Sequence, residues 1–363
     1  MEREALNNFQ FQGQFMDVRP YGSGHINDTF LVTMKEKKAE RHYILQKMNR
    51  SIFKSPEELM ENIINVTSHL RNKIIERGGN PDRETLNLVL TTEGKKYYID
   101  KQGEYWRAYI FIEDAVSFDL VENPHDFYQS AVAFGHFQRL LSDFPADTLH
   151  ETIVGFHDTE NRFEVFKEVI KKDIMKRAGF VSEEINFVLE REELVHSLCQ
   201  MRKNGELPLR VTHNDTKLNN IMIDNETGKG ICVIDLDTVM PGLTAHDFGD
   251  SIRFGASTAP EDEVDLEKVE CDLSLFELYT KGFIEGCAGS LTPKELEVLP
   301  LGSMTMTFEC GMRFLTDYLQ GDTYFKIHRP DHNLDRCRTQ FKLVSDMESK
   351  LNEMKEIVKK YQS

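Results

Sequence analysis

Apolar and polar residues alternate over short runs in the N-terminal third of the chain, and the runs predict strands at residues 28–34, 42–48, 86–90, 96–100 and 105–112. Turn signals at Glu93-Gly94-Lys95 and Gln102-Gly103 separate the later runs, as antiparallel hairpins require. One helix interrupts them. Ser55 is its expected N-cap, Pro56 its first helical residue, and Glu58 closes an expected capping box. Leu59, Ile63, Val66 and Leu70 come next at three- and four-residue spacing, which gives the helix one apolar face to pack on the sheet.

Beyond residue 117 the period lengthens, and helices are expected at 126–141, 161–176, 182–202, 273–285, 292–301, 304–319 and 335–361. A single hairpin sits among them, from Ile221–Asp224 through the turn Asn225–Lys229 to Gly230–Asp235. The order predicts an α+β chain of two lobes. An antiparallel-sheet N-lobe spans residues 1–113, a connection falls near Ile112-Glu113-Asp114, and a mainly helical C-lobe spans 114–363, with a crevice expected at the joint. A length of 363 residues agrees with two cores rather than one.

Charge narrows the partners. Forty-four Lys and Arg against 61 Asp and Glu leave a net charge of −17, which repels nucleic acid and anionic membrane, so any anionic ligand must be held by local chemistry. The six cysteines all lie in the C-terminal half without C-x-x-C or zinc spacing, and read as reduced thiols. The N-terminal residues lack a cationic stretch followed by an apolar one, and no apolar run has the length of a membrane span. A cytoplasmic protein, monomer or weak homodimer, is expected.

The segment from Val211 to Asp224 carries the chemistry. His213-Asn214-Asp215 is followed by Asn220 five residues after the aspartate, the spacing of a phosphoryl-transfer loop. There Asp215 would accept the proton of an attacking hydroxyl, and Asn220 would offer magnesium a neutral oxygen. Short polar residues also cap ordinary turns, so the partner segment matters. Ile231–Ile234 delivers Asp235, and two residues on Asp237, at the end of an apolar strand, and magnesium takes one or two carboxylates of this kind. Asp247-Phe248-Gly249 spells another magnesium triplet but comes too late after Asn220. Asp247 and Asp250 are therefore expected to bond loop amides near a helix start.

In the N-lobe, Gly22-Ser23-Gly24 precedes a strand and offers amides that would cover nucleotide phosphates. Gln46 and Lys47 lie on the next strand, where a phosphate-pairing base belongs, with Glu57 and Glu61 on the succeeding helix as candidate ion-pair partners. Strand alternation lets only one of Gln46 and Lys47 face the crevice. Glu113 in the connection joins the expected nucleotide contacts. Glu309, Arg313 and Asp317 form a polar stripe in an apolar helix, either an internal salt-bridge ladder or a set of groups for sugar hydroxyls.

His213-x-Asp215-x4-Asn220 together with Ile234-Asp235-Leu236-Asp237 resembles the aminoglycoside phosphotransferase and choline kinase superfamily, with its protein-kinase-like fold. Residues 21–27, 43–53, 210–220, 247–256 and 309–315 resemble the N-acetylhexosamine 1-kinases more closely, and the resemblance spans nearly the whole chain. It implies ATP- and Mg2+-dependent phosphorylation of the anomeric hydroxyl of an amino sugar, N-acetylglucosamine or N-acetylgalactosamine. Asp215 is then the base, and Asn220 with Asp235 holds the metal. His25, Thr238, Arg313 and Tyr324, with Asp317 of the same stripe, fall in the sugar and phosphoryl pocket. One position departs from the wider superfamily: Gln46 stands where the phosphate-binding lysine aligns, with Lys47 beside it. Another small-molecule kinase, acting on choline, an aminoglycoside or a different sugar, would share these core residues, and a non-catalytic kinase-like binding protein is the other class.

Overall fold

The computed structural model describes residues 2–22, 26–37 and 39–362, and the chain divides into two compact units. The first comprises residues 1–117, 147–154 and 221–240. Its main sheet contains β1 (Gln14–Pro20), β2 (Asp28–Glu36), β3 (Ala39–Lys47), β4 (Leu88–Val89), β5 (Tyr98–Ile99) and β6 (Tyr105–Ile110), in the order β1-β2-β3-β6-β4 with β5 also on β6. Val32, Met34, Tyr43, Leu45, Trp106 and Ala108 form its core with Phe9 and Val89. The edge strand β1 escapes a sequence reading because most of its residues are exposed, so no apolar alternation marks it. Register decides the cross-strand neighbours: β2 sets Asp28 opposite Lys47 and Thr29 opposite Gln46, and β6 sets Arg107 opposite Gln46.

The helix Pro56–Glu76 buries Leu59, Ile63, Val66 and Leu70 as its spacing predicts. Pro56 starts it, but the Ser55 side chain makes no capping hydrogen bond, so the expected capping box does not form. Asn62, on the buried face, donates to the carbonyls of His150 at 2.8 Å and Val239 at 3.0 Å and accepts from the His150 amide at 2.9 Å. One buried amide side chain thus satisfies backbone groups of two distant segments, which ties residues 147–154 into this unit.

The predicted hairpin forms. Ala115–Val116, Ile221–Asp224 and Gly230–Val233 make a three-stranded antiparallel sheet, packed through Ile112, Met222 and Cys232. Asp224 closes the turn by accepting the Thr227 amide at 2.7 Å and hydroxyl at 2.8 Å, and it pairs with Arg83 at 2.8 Å. The Thr227 bonds first, then Arg83, bring its carboxyl down to about 2.

The second unit comprises residues 118–146, 155–220 and 241–363 and is helical apart from short pieces. The expected helix over 182–202 is two, Ser182–Leu189 and Glu192–Lys203, broken at Arg191, whose guanidinium bonds the Phe187 carbonyl at 3.0 Å and forks onto Glu348. The helix Thr244–Gly255 buries its polar residues His246, Asp247, Asp250 and Arg253 as well as Ala245, Phe248 and Ile252.

Close helix crossings explain several glycines. A Cβ at Gly135, on helix Pro124–Leu140, would stand 2.2 Å from the Phe283 carbonyl oxygen on helix Leu273–Cys287. A Cβ at Gly249 would stand 2.3 Å from the carbonyl oxygen of Gly302, on helix Leu299–Gln320, and one at Gly302 would stand 2.4 Å from that of Ala245. All six cysteines are free. Among the described residues no helix is long and apolar enough to cross a membrane.

Candidate active site

The loop after the strand Arg210–Thr212 is built from backbone amides and buried carboxylates. Asn214 sits in the left-handed region at φ 64°, a conformation asparagine tolerates better than most residues. The turn leaves successive amides pointing one way, and Asp247 collects them: its Oδ2 accepts from the His213 nitrogen at 2.9 Å and its Oδ1 from the Asn214 nitrogen at 2.8 Å. Gln138 donates to Oδ2 at 2.7 Å. Burial pushes the Asp247 carboxyl upward, against the pull of these bonds. Asp250 accepts the Thr216 amide at 3.1 Å and is paired with Arg253 at 2.9 Å. Asp247 and Asp250 thus bond loop amides at a helix start, as their context predicts.

The frame presents Asp215 half-exposed. Lys217 Nζ lies 2.7 Å from its Oδ1, and Asn220 Nδ2 donates to its Oδ2 at 3.2 Å and to its backbone oxygen at 2.8 Å. Burial works against the charge on Lys217, but Asp215 and Asp250 outweigh it and hold the ammonium above its ordinary range. A carboxylate oriented by an ammonium and an amide is suited to take a proton from an alcohol. Asn220 spends its amide nitrogen on Asp215, so among the described residues its side-chain oxygen is left for another partner. Lys217 was not singled out from the sequence, although its place two residues after Asp215 is a signal.

In the first unit, Val233 pairs with Ile221, the residue after Asn220, and ends its strand two residues before Asp235, which is exposed and left-handed at φ 57°. Asp237 is buried: its Oδ1 lies 2.5 Å from Arg107 Nη1 and its Oδ2 accepts from Asn27 at 2.6 Å. Gln46 accepts from Arg107 Nε at 3.0 Å and donates to Thr29 at 3.0 Å. Lys47 is turned to Asp28 at 2.7 Å, and that hydrogen bond raises its ammonium above the ordinary range. Glu57 and Glu61 do not pair with Gln46 or Lys47, contrary to the sequence expectation. Glu57 takes the Tyr105 hydroxyl and Glu61 pairs with His150 at 2.9 Å, because the register has already given Lys47 its own aspartate. Arg107 and Asn27 were missed. The signal for Arg107 was a lone charge in the apolar run Tyr105–Ile110.

Of the remaining expected site residues, Gly22, Glu113 and Thr238 are among those described. Gly22 has φ 82°, while Ser23, Gly24 and His25 lie outside the described residues. The Glu113 carboxylate meets His42 at 2.9 Å and its carbonyl takes Arg83 at 2.8 Å. Thr238 is buried.

On helix Leu299–Gln320 the salt-bridge ladder, one of the two readings of the polar stripe, does not form among the described residues. Glu309 turns to His157 at 3.0 Å, Thr159 at 2.6 Å and Arg162 at 3.4 Å. Burial would raise its carboxyl, but His157, Arg162 and Arg313 bring it to about 2. Asp317 accepts the amides of Thr323 and Tyr324 at 2.8 Å and of Phe325 at 2.9 Å, and so orders the turn after the helix. Arg313, half-buried between them, lies 5.6 Å from the Phe156 ring centre, 5.9 Å from that of Tyr324 and 5.4 Å from that of Phe325. Among the described residues its guanidinium makes no hydrogen bond.

A sheet unit, a helical unit and a His-x-Asp loop framed in this way define a kinase-like phosphotransferase. The model of the APH family, described as a phosphotransferase enzyme family, matches residues 17–270, and the chain belongs to that family. Among solved structures it is similar to choline kinase from Cryptosporidium parvum Iowa II, at 14% identity and TM-score 0.58, over 93% of this chain and 90% of that one. It is similar to an aminoglycoside phosphotransferase from Alicyclobacillus acidocaldarius, at 11% identity and TM-score 0.59, over 99% and 97%. A third is the spectinomycin phosphotransferase APH(9)-Ia in complex with ADP and spectinomycin, at 14% identity and TM-score 0.53, over 94% and 93%. At these identities the likeness shows the fold.

Proposed function

We propose that the chain transfers the γ-phosphoryl group of ATP, with Mg2+, to the C1 hydroxyl of N-acetylglucosamine or N-acetylgalactosamine, giving the sugar 1-phosphate. The observation that carries the acceptor class is Arg313: a guanidinium with unspent donors, bordered by three aromatic rings, suits a neutral sugar with hydroxyl and amide oxygens. The likeness of residues 309–315 and 210–220 to N-acetylhexosamine 1-kinases supports the same reading. His25, Thr238, Asp317 and Tyr324 are assigned to this acceptor, and Gly22, Ser23 and Gly24 to the phosphates.

Asp215 takes the C1 hydroxyl proton as the oxygen attacks the γ-phosphorus, the bond from that phosphorus to the ADP oxygen breaks in line, and ADP leaves. Lys217 keeps the Asp215 carboxylate aimed. Asn220 and Asp235 supply an amide oxygen and a carboxylate, hard oxygen donors of the kind magnesium takes. When bound, the ion offsets charge on the phosphate oxygens.

The test is phosphate transfer from ATP with magnesium to N-acetylglucosamine, N-acetylgalactosamine, glucose, galactose, choline and kanamycin, with the phosphorylated position read by phosphorus NMR. Anomeric phosphate on the N-acetylhexosamines alone is the expected result. Transfer to choline or kanamycin alone would sink the sugar assignment.

A further inference from the structure

Among the described residues the pair of charges that kinases place between the β3 lysine and the next helix is missing, and a different pair has one member, Arg107, in the same sheet and the other, Asp237, outside it. Position 46 on β3 is a glutamine, Lys47 is spent on Asp28, and Glu57 and Glu61 of the helix are spent on Tyr105 and His150. The cation sits one strand over. Arg107 on β6 is directly opposite Gln46 in the register and 1% exposed. Gln46 holds its Nε, Asp237 holds its Nη1, and its guanidinium lies 5.4 Å from the centre of the Tyr109 ring. A charge buried to this degree is kept only where it is paired. Burial opposes the charge on Arg107, but Asp237 first among its neighbours, with Asp235 also contributing, more than offsets it.

Asp237 continues the chain of contacts. Its other oxygen takes Asn27, the residue at the end of the glycine segment, and Asn27 accepts the Asn49 amide at 3.0 Å. Asn49 in turn donates to the Ile26 carbonyl at 3.0 Å. Arg107 therefore reaches, through one carboxylate, both the segment that carries Asp235 and the exit of the glycine segment.

We propose that Arg107 is the nucleotide-positioning cation of this chain, supplying from β6 the fixed charge that β3 lacks, with Asp237 as its counterion and Gln46 as its orienting partner. The proposal rests on the kinase reading of Asp215, Asn220 and Asp235. A lysine at position 46 and an arginine at position 107 put positive charge on facing positions of two paired strands, so one can replace the other without moving the backbone. Gln46 is then the fitting residue on β3, because its amide oxygen orients the guanidinium and adds no second cation.

The experiment is calorimetric titration of the full chain with Mg-ADP, which needs no knowledge of the acceptor, alongside thermal melting. The variants are R107Q and the exchange Q46K/R107Q. The R107Q chain is expected to melt cooperatively and to bind Mg-ADP roughly tenfold or more weakly, and the exchange is expected to return to within about threefold of wild type. Wild-type affinity in a folded R107Q chain would overturn the proposal. Weak binding in R107Q with no recovery in a folded exchange variant would also overturn it, because a merely structural pair predicts that result. Should R107Q fail to fold, the exchange variant decides alone: binding near wild type supports the assignment and loss of binding ends it. If the wild-type chain does not bind Mg-ADP, the kinase reading fails and not the choice of Arg107.

Discussion

Asp247 Oδ1 lies 2.8 Å from the backbone nitrogen of Asn214, and the same carboxylate takes the amide of His213, so a residue remote in sequence fixes the two peptides that lead into Asp215. Replacing it with alanine leaves two buried amides and the Gln138 side chain without an acceptor. Asp247→Ala is expected to cost about 3 kcal/mol or more of stability, with a further loss of turnover in the surviving folded fraction. Urea unfolding followed by turnover per folded molecule separates the two.

Asp215 is expected to act on the proton and not on the nucleotide. Asp215→Asn should lower turnover on the order of 100-fold or more while Mg-ADP affinity stays near wild type. Turnover close to wild type in that variant would remove the base assignment.

Acid should unfold the helical unit in two overlapping steps. Burial first, then His157, lowers His246 from 6.5 to about 3, so the folded chain resists a proton that the unfolded chain binds, and stability is lost as pH falls from 6.5 towards 3. Glu309 falls from 4.5 to about 2, so its contribution is complete above 4.5 and lost as pH falls towards 2. Its size is on the order of 3 kcal/mol. Urea midpoints measured at stepped pH should decline through both windows. Glu309→Gln should lower the pH 7 value and flatten the lower window, and a pH-independent midpoint would contradict both shifts.

Arg313→Lys keeps the charge but loses the planar face that lies among three rings. The acceptor KM is expected to rise roughly tenfold with the ATP KM unchanged. The melting temperature should move little, since no ion pair is broken. An unchanged acceptor KM would place the sugar elsewhere.

The two-lobed class, the hairpin and the Asp215 loop could be read from the chain because each leaves a local mark: a period of two, a turn cluster, a fixed spacing. The reading of Asp247 also came from local context. Contacts set by tertiary register left no such mark. Nothing near Gln46 in sequence names Arg107, and the partners of Glu309 lie about 150 residues earlier, His157 in a turn and Thr159 at the start of the helix that follows it. The helix Thr244–Gly255 could be read only as a helix start: Ala245, Phe248 and Ile252 keep a helical spacing, but the burial of His246, Asp247, Asp250 and Arg253 beside them left no mark in the sequence. Ser55 shows the limit of a local signal, for the helix starts where it predicts but without the cap bond.

The contact of Gly249 with Gly302 brings two main chains together with no side chain between them. The helix that carries Asp247 and the helix that carries Arg313 therefore form one stiff bracket, and neither can slide without the other. Redesign of the acceptor range should then leave that bracket alone and work at the rings of Phe156, Tyr324 and Phe325. On the proposed sugar-kinase reading, a change of side chain there would alter the shape offered to the acceptor while the frame around Asp215 keeps its dimensions.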